Sequence, residues 1–111
     1  WQNTGNIAIV TDKERYIACS GKKDIKDKSI STTLEKIIDE RGRMAGYRGD
    51  SSFLNLIEDD DITAEAVAPI ISAGDAVGAV VVLNKDNGKK FGDVENKMVQ
   101  IAASFLGKHL E

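Results

Sequence analysis

The fold of this chain is decided by the stretch PIISAGDAVGAVVVL, which runs from Pro69 to Leu83. It predicts two apolar strands joined by a tight turn at Gly74-Asp75, because glycine supplies the positive φ that a two-residue hairpin turn needs. The second strand, Val77–Leu83, is apolar on both faces. Such a strand belongs in the middle of a sheet that is covered on both sides. No catalytic group lies in the hairpin, so we interpret it as buried scaffold.

Two shorter β-type segments precede the first helical pattern. Asn6–Thr11 alternates and is β-branched, and Arg15–Ser20 follows a polar turn, so the pair predicts a hairpin. Ser31–Arg41 then predicts a helix with one apolar stripe. Thr32 followed by Glu35 forms a capping-box pattern at its start.

The middle of the chain predicts a loop and two more strands. Gly42–Asp50 holds three glycines and indicates a loop, and Phe53–Ile57 indicates a short strand. Ile62–Ser72 predicts a long strand in which Pro69 marks an edge position or a bulge.

The last helix is expected from about Asp93 to His109, and its apolar residues fall into two stripes. A helix that lies on one sheet needs only one apolar stripe, so we expect the other to be covered by a partner chain or by a missing N-terminal helix. The first stripe contains Val94, Met98, Ile101 and Phe105; the second contains Val99, Ala102 or Ala103, Leu106 and Leu110.

The element order β-β-α-β-β-β-α predicts an α+β fold. Consecutive hairpins give an antiparallel sheet, expected to have five to six strands, with the helices packed against it. A length of 111 residues suits one domain, residues 1–111, with a single core.

Composition and charge exclude some functions for this chain. The formal net charge is −3, which argues against this chain gripping a nucleic-acid backbone by itself. A single cysteine excludes an internal disulfide and fits a reducing compartment, so we expect a cytoplasmic protein. No apolar run reaches the roughly 20 residues of a membrane span. A start at Trp1-Gln2 rather than Met leads us to expect a fragment of a longer protein.

Residues that could carry chemistry have simpler interpretations here. Cys19 stands alone and is read as a small buried hydrophobe rather than a redox or metal ligand. His109 suits the C-terminal end of a helix dipole. The acidic run Glu58–Asp61 lacks the spacing of a calcium loop and indicates a solvated turn. We therefore predict no enzyme activity, no metal and no cofactor.

A ligand pocket between the sheet and the first helix is the remaining candidate site. The predicted floor consists of Ala18, Cys19 and Ser20. The predicted apolar wall consists of Ile30, Leu34 and Ile38. The predicted polar anchors are Arg43, Tyr47 and Arg48. The alternative for the two arginines is that they are simply solvated loop charges.

The strand order and the Pro69–Leu83 hairpin resemble a GAF domain, a ligand-sensing relative of PAS domains. The resemblance is closest to the C-terminal half of AbrB-like sporulation transcription regulators and extends from about Asn6 to Glu111. It is carried by short segments in the same order and spacing: Tyr16-Ile-Ala18, Ser20-Gly21, Lys28–Ser31, Pro69-Ile70, Gly74-Asp75, Gly78–Val81, Ala102-Ala103 and Phe105-Leu106.

The resemblance implies partners as well as a fold. It implies a DNA-binding half of the swapped-hairpin type that is absent from this chain, and a GAF half that forms a homodimer through its terminal helices, with higher assembly of the full-length protein. A small-molecule effector that biases the DNA-binding half is the leading hypothesis, and a pure dimerisation scaffold without a ligand is the alternative. The predicted dimer contacts are Val99, Ala103, Leu106 and Leu110.

Overall fold

The computed structural model describes residues 6–20, 28–42, 44–47, 62–84 and 93–110. These residues form five strands and two helices. The strands are β1 (Asn6–Asp12), β2 (Tyr16–Ser20), β3 (Met44–Tyr47), β4 (Ala64–Ser72) and β5 (Asp75–Asn84), and the helices are α1 (Thr32–Asp39) and α2 (Asp93–Leu110).

The strands form one antiparallel sheet in the order β2-β1-β5-β4-β3. The α+β class and the central position of β5 are confirmed, since β5 pairs with β1 on one side and β4 on the other. Five strands are present within the described ranges. The predicted strand Phe53–Ile57 lies outside them.

The segment predicted as a loop after α1 contains strand β3, so that part of the prediction is wrong. Met44-Ala-Gly-Tyr47 has no alternating pattern, but it pairs residue by residue with Ala64–Val67 of β4. The sheet edge supplies the hydrogen bonds that define this strand, and local propensity does not. Among described residues β3 pairs no further along β4, so Pro69 lies past that pairing, at the predicted edge position.

The hairpin turn lies one residue earlier than predicted. Ser72 pairs with Asp75, so Ala73 and Gly74 are the two turn residues. Both have positive φ, 50° and 84°, as a type I′ turn requires. Alanine has a Cβ and is disfavoured in this region by about 1–2 kcal/mol, which is why the sequence favoured Gly74-Asp75 instead.

Helix α1 is capped at both ends by local hydrogen bonds. Ser31 is the N-cap, because its Oγ accepts from the Leu34 N–H at 3.1 Å, so the capping box predicted at Thr32 is wrong by one residue. At the other end the Arg41 N–H donates to the Ile38 carbonyl and the Gly42 N–H to the Ile37 carbonyl. These two bonds define a Schellman motif, in which Arg41 occupies the left-handed position with φ 56°.

The two helices cover opposite faces of the sheet. Side chains alternate along each strand, so every central strand contributes to two separate cores. The α1-face cluster is centred on Ile9, Leu34, Ile38, Val67, Val81 and Leu83. The α2-face cluster is centred on Ala66, Ala68, Ile70, Val82, Val99 and Ala103.

Small residues bring α2 close to strand β4. Ala64, Ala66 and Ala68 face the helix from the strand, and all are at most 1% exposed. On the helix side, a Cβ at Gly107 would overlap the carbonyl oxygen of Ile71. The contact therefore depends on the absence of a side chain at position 107.

Candidate functional site

The apolar wall of the predicted pocket belongs to the hydrophobic core. Ile30, Leu34 and Ile38 are 8%, 0% and 1% exposed and pack within the α1-face cluster. Neither the groove on α2 nor the cleft at the edge of β4, both formed by described residues, is lined by these side chains. Their position fits a filled layer between α1 and the sheet.

Strand alternation divides the predicted pocket floor between the two faces of the sheet, and a β-bulge determines which of its residues faces α1. Thr11 pairs with Tyr16 and Val10 with Ala18, which leaves Ile17 as an extra residue. Cys19 lies opposite Ile9 and packs against the α1-face cluster. Ala18 and Ser20 therefore belong to the opposite face, and the prediction that all three form one floor is wrong.

The predicted polar anchors are not tested. Arg43 and Arg48 lie outside the described residues, and of Tyr47 the structure describes only its place in β3. Their role in ligand binding stays a prediction.

Two buried polar residues on the α1 face escaped the sequence analysis. Thr11 is 1% exposed, and its Oγ1 has no hydrogen-bond partner among the described residues. Glu65 is 0% exposed and lies opposite Leu83, on the same face as Val67. The signal for Glu65 was a lone acid within an otherwise apolar β-type run, because a carboxylate is very rarely buried without a structural reason.

The solvent side of α2 carries an exposed apolar stripe. Val94, Ile101 and Phe105 are 66%, 71% and 68% exposed, and Met98 is half-buried between them. We call these four residues the outer stripe. Together with Ala102 and Leu106, three of them line a shallow apolar groove of about 550 Å³.

Two of the four predicted dimer contacts, Val99 and Ala103, lie on the sheet side of α2. Val99 and Ala103 are 0% and 2% exposed and pack against the sheet, so they are not available to a partner in this arrangement. Leu106 is half-buried at the border between the sheet contact and the groove, and nothing is described of the Leu110 side chain. The helix was correctly predicted to carry two stripes, but sequence alone did not show which one meets the sheet.

The outer stripe has the spacing of a helix-pairing seam. Its residues follow one another at intervals of four, three and four, which is the heptad pattern of helices that pack along their length. The His109 ring stacks on Phe105 at a centroid distance of 5.9 Å and extends this surface. Within the described ranges no group of three His, Cys, Asp or Glu side chains could hold a metal ion. In the same ranges neither helix has the length and apolar character needed to cross a membrane.

Solved structures of GAF domains have this architecture. The GAF domain of an Acinetobacter phosphoenolpyruvate-protein phosphotransferase aligns with a TM-score of 0.73 at 8% identity, over 96% of this chain and 72% of that one. The PixJ GAF domain of Thermosynechococcus elongatus aligns with a TM-score of 0.66 at 14% identity, over 97% and 77%. A free methionine-R-sulfoxide reductase of Thermoplasma acidophilum aligns with a TM-score of 0.68 at 13% identity, over 92% and 76%. At these identities the likeness shows the GAF fold alone.

The family is shown by sequence. A family profile described as "Stage V sporulation protein T C-terminal, transcription factor" matches residues 1–111. Stage V sporulation protein T of Bacillus subtilis (strain 168) is 37% identical over 115 residues, which include all of this chain and 62% of that protein. The chain therefore belongs to the family of stage V sporulation protein T C-terminal domains. The family description names a transcription factor and no enzyme activity.

Proposed function

We propose that this chain is the regulatory and assembly domain of a sporulation transcription factor, and that it forms a homodimer through the outer stripe of α2. The observation that carries the proposal is the exposure of Val94, Ile101 and Phe105 on one helix face. DNA contact by a separate domain of the full protein, and a cytoplasmic location, are part of the proposal. Family membership and the net charge of −3 support this division of labour.

A second copy of this chain is the occupant that best fits the outer stripe. The stripe contains no charged residue, so its partner must also present an apolar surface. Its heptad spacing calls for a helix as partner, and the same stripe on another copy meets both conditions. Two-fold pairing of identical surfaces is also the commonest form of protein assembly.

The exposed area sets the expected strength of the dimer. Burying a large apolar side chain contributes about 1.5–3 kcal/mol, and the three exposed residues are each about two-thirds exposed. Over both protomers this amounts to about 6–12 kcal/mol. Association costs about 4–15 kcal/mol, so we expect a concentration-dependent dimer rather than a permanent one.

The better supported of the two earlier hypotheses is thus the assembly scaffold. Sensing in a pocket under α1 has less support, because the predicted wall residues Ile30, Leu34 and Ile38 are buried in the core. An effector remains compatible with the proposal if it changes the position of α2 and so the geometry of the dimer.

Sedimentation velocity over a concentration series tests the proposal. The wild-type chain should shift from monomer to dimer as concentration rises, and Ile101→Glu should remain monomeric over the same range. Ile17→Glu is the matched control, because Ile17 is 45% exposed on β2, away from α2. The proposal fails if the wild-type chain is monomeric throughout, or if Ile101→Glu dimerises like the wild type.

A further inference from the structure

A second cleft opens at the edge of strand β4. It lies between the end of α1, the part of β4 beyond the described β3 pairing, and the C-terminal half of α2, and its volume is about 450 Å³. This is within the range of small-molecule sites in proteins. It is lined by Arg41, Ala68, Pro69, Ile71, Gln100, Ser104 and Lys108.

The helix presents a row of polar residues to this cleft. Gln100, Ser104 and Lys108 follow one another at intervals of four and line the cleft, and Asn96 lies one turn before them. This flank lies between the sheet-facing side and the outer stripe, with Lys108 at the border of the stripe. The Gln100 Nε2 donates to the Asn96 Oδ1 at 3.1 Å, which orients the row at its N-terminal end and leaves Ser104 and Lys108 as the donors deeper along the helix.

The opposite side of the cleft carries a second cation in an unusual conformation. Arg41 holds the left-handed position of the α1 Schellman motif, where glycine is preferred. Gly42 follows immediately, so the glycine lies one residue after the position that has the positive φ. Residues held in unfavourable backbone regions cluster at ligand-binding sites, and this one lines the cleft.

We propose that the cleft binds a small anion with an apolar portion, of the phosphate-monoester type, between Arg41 and Lys108. Two cations from different elements converge on one space, although the whole chain has a net charge of −3. Guanidinium and ammonium groups both donate charge-assisted hydrogen bonds to phosphate oxygens, and the Ser104 hydroxyl adds a third donor. Ala68, Pro69 and Ile71 of β4 supply the apolar part of the cleft lining.

Phenyl phosphate is a suitable probe, because it combines the anion with a small apolar ring. Isothermal titration should show saturable binding to the wild-type chain, weaker binding of inorganic phosphate, and no binding of benzyl alcohol at the same concentrations. Lys108→Gln and Arg41→Gly should each weaken phenyl phosphate binding by about fivefold to tenfold, since each removes one charged donor. Arg41→Gly also relieves the positive φ, so loss of binding cannot be ascribed to unfolding.

Lys36→Gln is the matched control, because Lys36 is an exposed cation of α1 that does not line the cleft. Benzoate binding as tight as that of phenyl phosphate would overturn the assignment of the site to a phosphate monoester. Equal binding of benzyl alcohol, or equal affinity in Lys108→Gln, Arg41→Gly and Lys36→Gln, would overturn the proposal. Lys108 lies beside the outer stripe, so the titration is repeated with the monomeric Ile101→Glu chain, which should bind the probe like the wild type.

Discussion

Replacing Gly107 by alanine should destabilise this domain, although the same change usually stabilises a helix. In an exposed helix interior, glycine to alanine stabilises by about 1 kcal/mol. Here the new Cβ would overlap the Ile71 carbonyl oxygen and lie 3.1 Å from the Ile71 carbonyl carbon. A backbone group cannot rotate away as a side chain can, so α2 must move off the sheet.

The expected size of the loss follows from two opposing effects. Overpacking a core contact costs about 1–3 kcal/mol, and a rigid backbone neighbour favours the upper end of that range. Subtracting the helix-propensity gain of about 1 kcal/mol leaves a net loss of about 2 kcal/mol. For a domain of this size the melting temperature should fall by roughly 8 °C.

Urea unfolding followed by circular dichroism measures this difference. Ser104→Ala is the control on the same helix, because Ser104 is exposed and alanine should stabilise there by about 0.5 kcal/mol. A Gly107→Ala chain as stable as the wild type, or more stable, would refute the close approach of α2 to β4.

Three further changes test the local structure. Ala73→Asn should stabilise by about 0.5–1 kcal/mol in urea unfolding, because asparagine tolerates the positive φ of the turn; a loss of stability would count against the type I′ turn. Ser31→Ala should cost about 1 kcal/mol in the same assay by removing the cap on Leu34, and an unchanged midpoint would exclude Ser31 as the cap. Asp12 accepts from the Glu14 and Arg15 N–H groups, both at 2.7 Å, and these bonds hold its carboxyl pKa below the ordinary value. The ionised Asp12 carboxylate therefore stabilises the fold above the unfolded pKa of about 3.9, and this stabilisation is lost as the pH falls through the lower folded pKa. Asp12→Asn should therefore lose less stability than the wild type between pH 7 and pH 3. An identical loss in the two chains would contradict this role.

The features predictable from sequence are those that local pattern determines. The two-sided apolar run of β5 required a central strand, and the heptad and sheet-facing spacings of the last helix required two apolar stripes. The same local reasoning gave Pro69 an edge position or a bulge, and Pro69 lies beyond the described β3 pairing.

The errors arise where tertiary contacts override local preference. Strand β3 depends on the edge of β4, which no pattern in Met44–Tyr47 records. The bulge at Ile17 reverses the faces of the residues that follow it, so the sequence could not show that Cys19 faces α1 and Ala18 does not. An extra residue in a strand is invisible until its partner's register is known.

The same limit explains why the sequence did not show which of the two α2 stripes packs against the sheet. Both are apolar, and hydrophobicity alone favours the outer stripe for burial because it contains Phe105 and Ile101. The side of α2 with small residues packs against the sheet instead, because Ala103 and Gly107 allow the helix to approach Ile71 and the alanines of β4 closely. The larger side chains are left on the surface, where a second copy can bury them.

Thiol crosslinking at the outer stripe tests the proposed dimer most directly. Ile101 lies near the midpoint of Asp93–Leu110, so its position is close to the partner helix whether two copies pair parallel or antiparallel. In a Cys19→Ser background, Ile101→Cys should form a covalent dimer with a bismaleimide matched to the separation of about 8–10 Å between packed helix axes. Ile17→Cys, at an exposed position of β2 away from α2, should remain monomeric. Crosslinking of both variants to the same extent, or of Ile17→Cys alone, would contradict assembly through the outer stripe.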